Sequence, residues 1–364
     1  MRGIVGLSLV SLVVVACGGP TGDGASNSGP KTPSTTSGPV SILECGDHYT
    51  CAILKGGTLS CWGAGSQGQL GNGAGPDQTK PTKVEGLTDV KHIALASTYG
   101  CVLGSDRAAR CWGTGRSPNG GSLDHARPQA IPGMLVNDIS GSGVLMCARL
   151  DGGQVRCWGT EKAPNPNLGA GKPIDVQVAA THGCVQKDDG TVACWDAEQW
   201  GGAGTEAMNH PKLPSPASAL GTGDAFACVI GKDKFVYCWG SNDLGQLGKP
   251  IDYVVHESPE KVPGVSNAMW LAVGESSVCA ILDGSGAVCW GSNSSGELGL
   301  GKTSLSELPT KAPALATVKD MCFGSAHACA QTNDDEMLCW GSNSAGQLGD
   351  GTKVSRFVPG RVAF

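Results

Sequence analysis

Charge is scarce in this chain: only 16 % of its 364 residues are Asp, Glu, Lys or Arg, against about a quarter in an average globular domain. The balance is −6 at pH 7, so there is no basic footprint for nucleic acid and none is expected as a partner. Aromatic residues are few as well, 5 % of the chain, with 5 Phe and 4 Tyr. No GxSxG, HExxH or helix-opening GxGxxG occurs, which removes the common signatures of hydrolase, metalloprotease and dinucleotide chemistry. No CxxC occurs either, and no His recurs at a ligand spacing in register with the cysteines, so zinc and iron–sulfur sites have no framework. Neither enzymatic activity nor a cofactor nor a metal is expected. Against these shortages stand 57 Gly, 17 Cys and 9 Trp. Trp outnumbers Phe, which asks for a repeated structural use of Trp, and the cysteines are too many for a reducing cytosol unless they bind metal.

The N-terminus reads as an address. Residues Met1–Ala16 carry one positive charge, Arg2, and an apolar stretch from Ile4 to Val15. That stretch is short of the roughly 20 apolar residues that span a bilayer and fits the h-region of a signal peptide over 1–16. Its end, Val14-Val15-Ala16-Cys17, resembles the lipobox of bacterial lipoproteins, which implies cleavage before Cys17 and lipidation of that residue. Ordinary secretion with Cys17 incidental is the other reading. Gly18 is not the Asp that retains such proteins in the inner membrane, so the resemblance points to the outer membrane, facing the periplasm or the surface. Residues 17–39 are nearly all Gly, Ser, Thr, Pro and small polar residues, a composition that buries no core and makes a flexible tether.

From residue 40 onward the chain repeats. Fourteen cysteines form seven pairs whose members lie ten residues apart. They are Cys51 with Cys61, Cys101 with Cys111, Cys147 with Cys157, Cys184 with Cys194, Cys228 with Cys238, Cys279 with Cys289, and Cys329 with Cys339. Each second Cys is followed by Trp, and successive Trp lie 50, 46, 37, 44, 51 and 50 residues apart, a period in the propeller and solenoid range. In Cys51-Ala-Ile-Leu54, Lys55-Gly56-Gly57, Thr58-Leu-Ser-Cys61 the pattern is strand, turn, strand. A three-residue loop with Gly third is a hairpin connection built from a type I turn and a left-handed residue. It sets Cys51 opposite Cys61 at a non-hydrogen-bonded site, where Cα atoms about 4.5 Å apart accept a disulfide. Every pair is therefore expected to staple one hairpin.

A second motif follows the Trp: GSQGQLG at 65–71, GSNDLGQLG at 240–248, GSNSSGELG at 291–299 and GSNSAGQLG at 341–349. Then come a Pro and an apolar residue, as in Pro81-Thr-Lys-Val84 and Pro259-Glu-Lys-Val262. Together these motifs resemble the regulator-of-chromosome-condensation repeat over about 40–364; units two, three and four have lost the GQLG. The resemblance implies an all-β, seven-bladed β-propeller. WD repeats fit worse, since Trp-Asp occurs in one unit only, at Trp195-Asp196.

The chain enters the repeats midway, at Val40-Ser-Ile-Leu-Glu44, so the terminal segment 357–364, with Pro359-Gly-Arg-Val362, is expected to complete the first blade and close the ring. Cys45 and Cys322 are left over, offset by one strand position, so they face each other across the blade seam and are expected to form a disulfide. For partner binding the candidates are Trp200, in the degenerate loop of unit four, Trp270, at a usually polar site, and Tyr253; either Trp could equally plug a local gap. Three functions are open: a monomeric, lipid-anchored envelope propeller binding an unknown protein partner; an inhibitor of an envelope or secreted enzyme, since secreted β-lactamase-inhibitor proteins share this fold; and, by family name, a guanine-nucleotide exchange factor.

Overall fold

The computed structural model describes residues 40–73, 75–160, 163, 166–180, 182–196, 208–209, 213–284 and 286–364. The leader, Cys17, the tether and Trp200 lie outside the described residues.

Unit one shows the local logic. Strands β1 (Val40–Cys45), β2 (Tyr49–Leu54), β3 (Leu59–Gly63) and β4 (Gln78–Val84) form one antiparallel sheet in sequence order. The Lys55-Gly56-Gly57 turn closes with Leu54 N donating to Thr58 O at 2.8 Å. Gly56 and Gly57 have φ of +90° and +74°; the first departs from the expected type I turn, which needs a negative φ there. Cys51 and Cys61 are partners in the β2–β3 register, with Cα atoms 4.1 Å apart and their sulfurs bonded.

The same staple recurs in every other unit. Cys101 is bonded to Cys111, Cys147 to Cys157 and Cys184 to Cys194. Cys228 is bonded to Cys238, Cys279 to Cys289 and Cys329 to Cys339. In each case the two cysteines are direct partners in the hairpin register, as the ten-residue spacing requires.

The fold is an all-β propeller, but the seven hairpins are distributed over six hydrogen-bonded sheets, not seven. Five sheets have four strands and one has six. The reason is a continuous strand, Ser122–Ser142, 21 residues long. Its first part pairs with Ala108–Arg116 of unit two, and its end pairs with Leu145–Leu150 of unit three. No turn interrupts the passage from one unit to the next, so the two merge into one sheet. Unit three also lacks an outer strand among the described residues: Val155–Trp158 is the sheet edge.

The expected closure by the C-terminal segment is corrected too. Arg356–Arg361 pairs with Met337–Gly341 in its own unit, just as β4 pairs with β3. The Pro-containing segment belongs to the sheet that precedes it in sequence, so the C-terminal strand is not left over for the first sheet. The seam between last and first sheets is instead held by main-chain and side-chain hydrogen bonds and by a disulfide linking Cys45 to Cys322, 277 residues apart. Thr50 Oγ1 also meets His327 Nε2 at 2.9 Å across it. Burial holds the His327 imidazole far down, at about 3, so it is neutral.

The core lies between sheets. Trp62 of unit one packs with Cys329, Met337 and Leu348 of unit seven, and Trp290 of unit six with Phe226, Val236 and Val262 of unit five.

Candidate functional site

The GQLG motif has a mechanical reading. In GSNSAGQLG, Asn343 Oδ1 accepts from Leu348 N at 3.0 Å, and Gln347 Oε1 accepts from Ala345 N at 2.9 Å. Those bonds fix the loop so that the Gln347 carbonyl points at the next unit, where Trp62 Nε1 donates to it at 2.9 Å. The same latch joins Trp112 to Gln69 O (2.7 Å), Trp290 to Gln246 O (2.9 Å) and Trp340 to Glu297 O (2.8 Å). The outer strands complete the link: Gly301 N donates to Phe357 O, and Gly351 N to Thr79 O.

Held by these latches, the loops of units five, six and seven present apolar side chains outward. Tyr253 is 89 % exposed and is followed by Val254 and Val255, also exposed. The residue paired with the Gly after Trp is His256, Glu307 and Arg356 in the three units. Two positions earlier stand Val254, Leu305 and Val354, all exposed. Leu308, Phe357 and Val358, just beyond the paired residues of units six and seven, are exposed as well. Beneath Tyr253 the loop is fastened by Asn242 Nδ2 donating to Pro250 O at 2.7 Å and by His256 set between Asp252 and Glu260 at 3.1 and 2.9 Å. The His256 hydrogen bond holds the Asp252 carboxyl below its usual range.

Of the sequence candidates, then, Tyr253 is at the surface. Trp270 is not a surface binder: it is 6 % exposed and packs among Leu315, Met321 and Phe323. A bulge between Ala268 and Trp270 shifts the register of its strand and turns this position into the inter-sheet core, leaving Met269 outside. In units three and four the same bulged position holds Asp138 and Asp175 beside Arg149. Asp334-Asp335-Glu336 reads from sequence as a solvated turn, yet Asp335 is buried, pairs with Lys319 and accepts from Gln331 Nε2.

Two ligand-like patterns dissolve on inspection. Cys45, His327 and Cys329 bring potential metal-ligand atoms together, but both sulfurs are in disulfides. Gly296–Thr303 spells GELGLGKT, the G-x-x-x-x-G-K-T spacing of a phosphate-binding loop. It is followed by the strand Ser304–Ala312 instead of a helix, and Lys302 is paired with Glu307 at 2.5 Å. The strand–loop–helix context that gives the motif its chemistry is absent. No helix among the described residues is long and apolar enough to cross a membrane.

Stapled hairpins, inter-sheet Trp latches and a ring closed at its seam define a β-propeller of Trp-latched repeats. Two profiles of the Regulator of chromosome condensation (RCC1) repeat match it, one over residues 57–103, 235–281, 287–331 and 334–364, the other over 40–69 and 318–347. The chain belongs to the RCC1 repeat family. The human E3 ubiquitin-protein ligase HERC2 is 26 % identical over 68 % of this chain, and the Arabidopsis thaliana ultraviolet-B receptor UVR8 is 26 % identical over 72 %. The match spans 5 % of the length of HERC2 and 56 % of UVR8. Among solved structures, Prp20p from Saccharomyces cerevisiae, characterised for its binding to Gsp1p and histones, superposes with a TM-score of 0.70 at 18 % identity, covering 90 % of this chain and 87 % of its own. Human WBSCR16 gives 0.69 at 18 % identity, covering 84 % of this chain and 95 % of its own. Both likenesses are of fold.

Proposed function

We propose that this chain is a lipid-anchored propeller of a bacterial cell envelope that binds a protein partner through the loops of units five to seven. The carrying observation is the exposed Tyr253-Val254-Val255 tip, with Leu305 and Val354 exposed at the position equivalent to Val254 in the next two units. A rigid aromatic with a surrounding apolar band is the composition of interface hot spots. The latches hold the band in place before a partner arrives, which lowers the ordering cost of binding. Eight disulfides fit an oxidising compartment, and the Val14-Val15-Ala16-Cys17 sequence supports anchoring at Cys17, in the outer membrane. Solved relatives include yeast RCC1 bound to Kap60, a family precedent for protein partners.

Inhibition of an envelope or secreted enzyme is a second reading of the same protruding Tyr253. Nucleotide exchange fits less well: it needs a cytosolic GTPase, whereas the disulfides argue for another compartment.

A photo-crosslinking amino acid at position 253 of the full chain, expressed in its native host, tests the surface. The expected result is one discrete adduct that disappears with Val254→Asp and Leu305→Asp; an adduct indifferent to both places binding elsewhere. Cys17→Ser is expected to move the protein from the membrane to the soluble fraction, and a variant that stays membrane-bound ends the anchoring proposal. If the adduct is an enzyme whose turnover falls on binding, inhibition replaces scaffolding.

A further inference from the structure

The first strands of neighbouring sheets pack against one another around the propeller axis, and at one end their closing turns meet. Neighbouring turns are joined main chain to main chain: Ser97 N donates to Gly143 O at 2.6 Å, Asp224 N to Glu275 O at 2.9 Å and Ser325 N to Asp47 O at 3.2 Å. Between them lies a cavity of about 20 Å³ on the axis, room for one group the size of a water molecule. Its polar lining comprises Asp47, Asp224, Glu275, Ser142, Ser325 and Thr222, and among the described residues no Lys or Arg lines it. Three carboxylates thus share an axial mouth without a basic side chain in its lining.

The second observation lies deeper. Thr222 is 2 % exposed and lines this cavity, and its Oγ1 has no hydrogen-bond partner. Five of the six other units place Cys45, Leu95, Val178, Val273 and Phe323 at the same strand position, and unit three places Gly141 there. Swapping an apolar side chain for a buried, unpartnered hydroxyl costs stability, unless something fills the cavity and bonds to it. Charge points the same way. Burial, followed by the negative charge of Asp224 and Asp47, pushes the Glu275 carboxyl up to about 7, and burial raises that of Asp224.

Among the described residues these carboxylates do not gather their oxygens within 4.8 Å of one another, so they do not make a ready three-carboxylate metal set. A primary ammonium supplies three N–H donors, enough for the Thr222 hydroxyl and two of the carboxylates, and needs no convergence of all three.

We propose that the axial mouth is a binding site for a primary ammonium group, seated among Thr222, Asp224, Glu275 and Asp47. The ammonium is carried either by a lysine side chain of a protein partner or by a free alkylamine. The site is separate from the outer band around Tyr253 and does not rest on it.

The test follows the Thr222 methyl signal by NMR in the full chain, with n-butylammonium, the peptide acetyl-Gly-Lys-Gly-amide, tetramethylammonium and calcium added in turn at constant ionic strength. Butylammonium is expected to shift the signal saturably. Glu275→Gln and Asp224→Asn are each expected to raise its apparent Kd at least tenfold, with the other threonine methyls reporting an intact fold. Thr222→Val, read through butylammonium line broadening, is expected to weaken binding as well. Tighter binding of the peptide assigns the site to a partner's lysine; equal or weaker binding assigns it to free amines. The proposal is overturned if no addition saturates, if tetramethylammonium, which has no N–H to donate, produces the same shift, or if calcium saturates the site at lower concentration than the amine.

Discussion

Units one, five, six and seven keep the GQLG loop, whereas two, three and four have lost it, and the two arcs differ in how their tryptophans end. Where the preceding unit supplies the loop, the indole N–H reaches a carbonyl: Trp62, Trp112, Trp290 and Trp340 all do. Where it does not, Trp158 and Trp195 are buried with Nε1 unpartnered. The apolar packing of the indole is kept in both arcs. The comparison separates two roles of one residue. Burial of the ring builds the propeller everywhere, while the hydrogen bond to the loop carbonyl locks neighbouring sheets in the intact arc and is missing at Trp158 and Trp195. The degenerate arc is also where two units fuse into one sheet and where, among the described residues, an outer strand is missing.

The largest expected effect comes from cutting the intact arc at its seam. By chain entropy, a cross-link closing a loop of 277 residues stabilises by about 5 kcal/mol, against about 3 kcal/mol for one closing a ten-residue hairpin. Two double variants compare them by urea unfolding: Cys45→Ala with Cys322→Ala at the seam, and Cys279→Ala with Cys289→Ala in one hairpin. The seam variant should show roughly twice the loss of the hairpin variant. Equal losses would mean that the Trp62 latch and its neighbours hold the ring closed without the disulfide.

A smaller effect bears directly on the latch. Trp340→Phe removes a bond and strands the Glu297 carbonyl; Trp158→Phe removes a buried donor that had no partner. Both delete similar ring area, so the difference between them isolates the hydrogen bond. Trp340→Phe should be the more destabilising by about 1–2 kcal/mol, measured in the same urea series. If Trp158→Phe proves equally costly, the two arcs do not differ as described.

What could be read before folding was whatever depends on neighbours in the chain. The ten-residue Cys spacing contains a whole hairpin, so register and disulfide both follow from one turn. The facing of Cys45 and Cys322 needed only strand parity. Sheet membership of the Pro-containing strand was another matter: a repeat looks the same wherever its first residue is placed, and only the pairing of Arg356–Arg361 with Met337–Gly341 decides the phase. The fusion of units two and three was hidden because Gly133 bends the strand, at φ +74°, without breaking it. For Trp270 surface binding and gap-filling were both open in the sequence, because an alternating strand pattern carries no mark of the bulge that turns it inward. The axial mouth was invisible for a related reason: Asp47, Asp224 and Glu275 are far apart in sequence and meet only because a closed ring brings equivalent turns together.

Proton linkage also reaches the degenerate arc, beside the raised carboxyls of Glu275 and Asp224. Burial pushes the Asp175 carboxyl up to about 6, although hydrogen bonding from Gln177 and the charge of Arg149 oppose the rise, and burial also raises its neighbour Asp138. A carboxyl with a raised folded-state pKa holds its proton more tightly when folded than when unfolded. Stability therefore falls as pH rises from the ordinary carboxylate value near 4 through 6. Asp175→Asn should flatten that slope and raise the urea midpoint above pH 6, with little change at pH 4. Glu336, exposed in unit seven, provides the control: Glu336→Gln should leave the slope intact. An unaltered slope in Asp175→Asn would show that the pair stays charged and balanced by Arg149.

The smallest effect on stability is expected where function is proposed. Tyr253 stands 89 % exposed on a loop whose fastenings, Asn242 to Pro250 and His256 to Asp252 and Glu260, do not involve its side chain. Surface substitutions away from structural features usually stay within about 0.5 kcal/mol, so Tyr253→Ala should leave the unfolding midpoint unchanged. Partner capture should nevertheless be lost, because a hot-spot aromatic typically costs about 2 kcal/mol or more when truncated, about thirtyfold in affinity. Asn242→Ala makes the opposite trade. It removes the Leu247 and Pro250 bonds, destabilises the intact arc and frees the Tyr253 loop while leaving the aromatic in place. If binding depends on the loop being held, both variants lose the partner, one with and one without a stability cost. If Asn242→Ala binds as tightly as the parent chain, the apolar side chains suffice and the latch serves the ring alone.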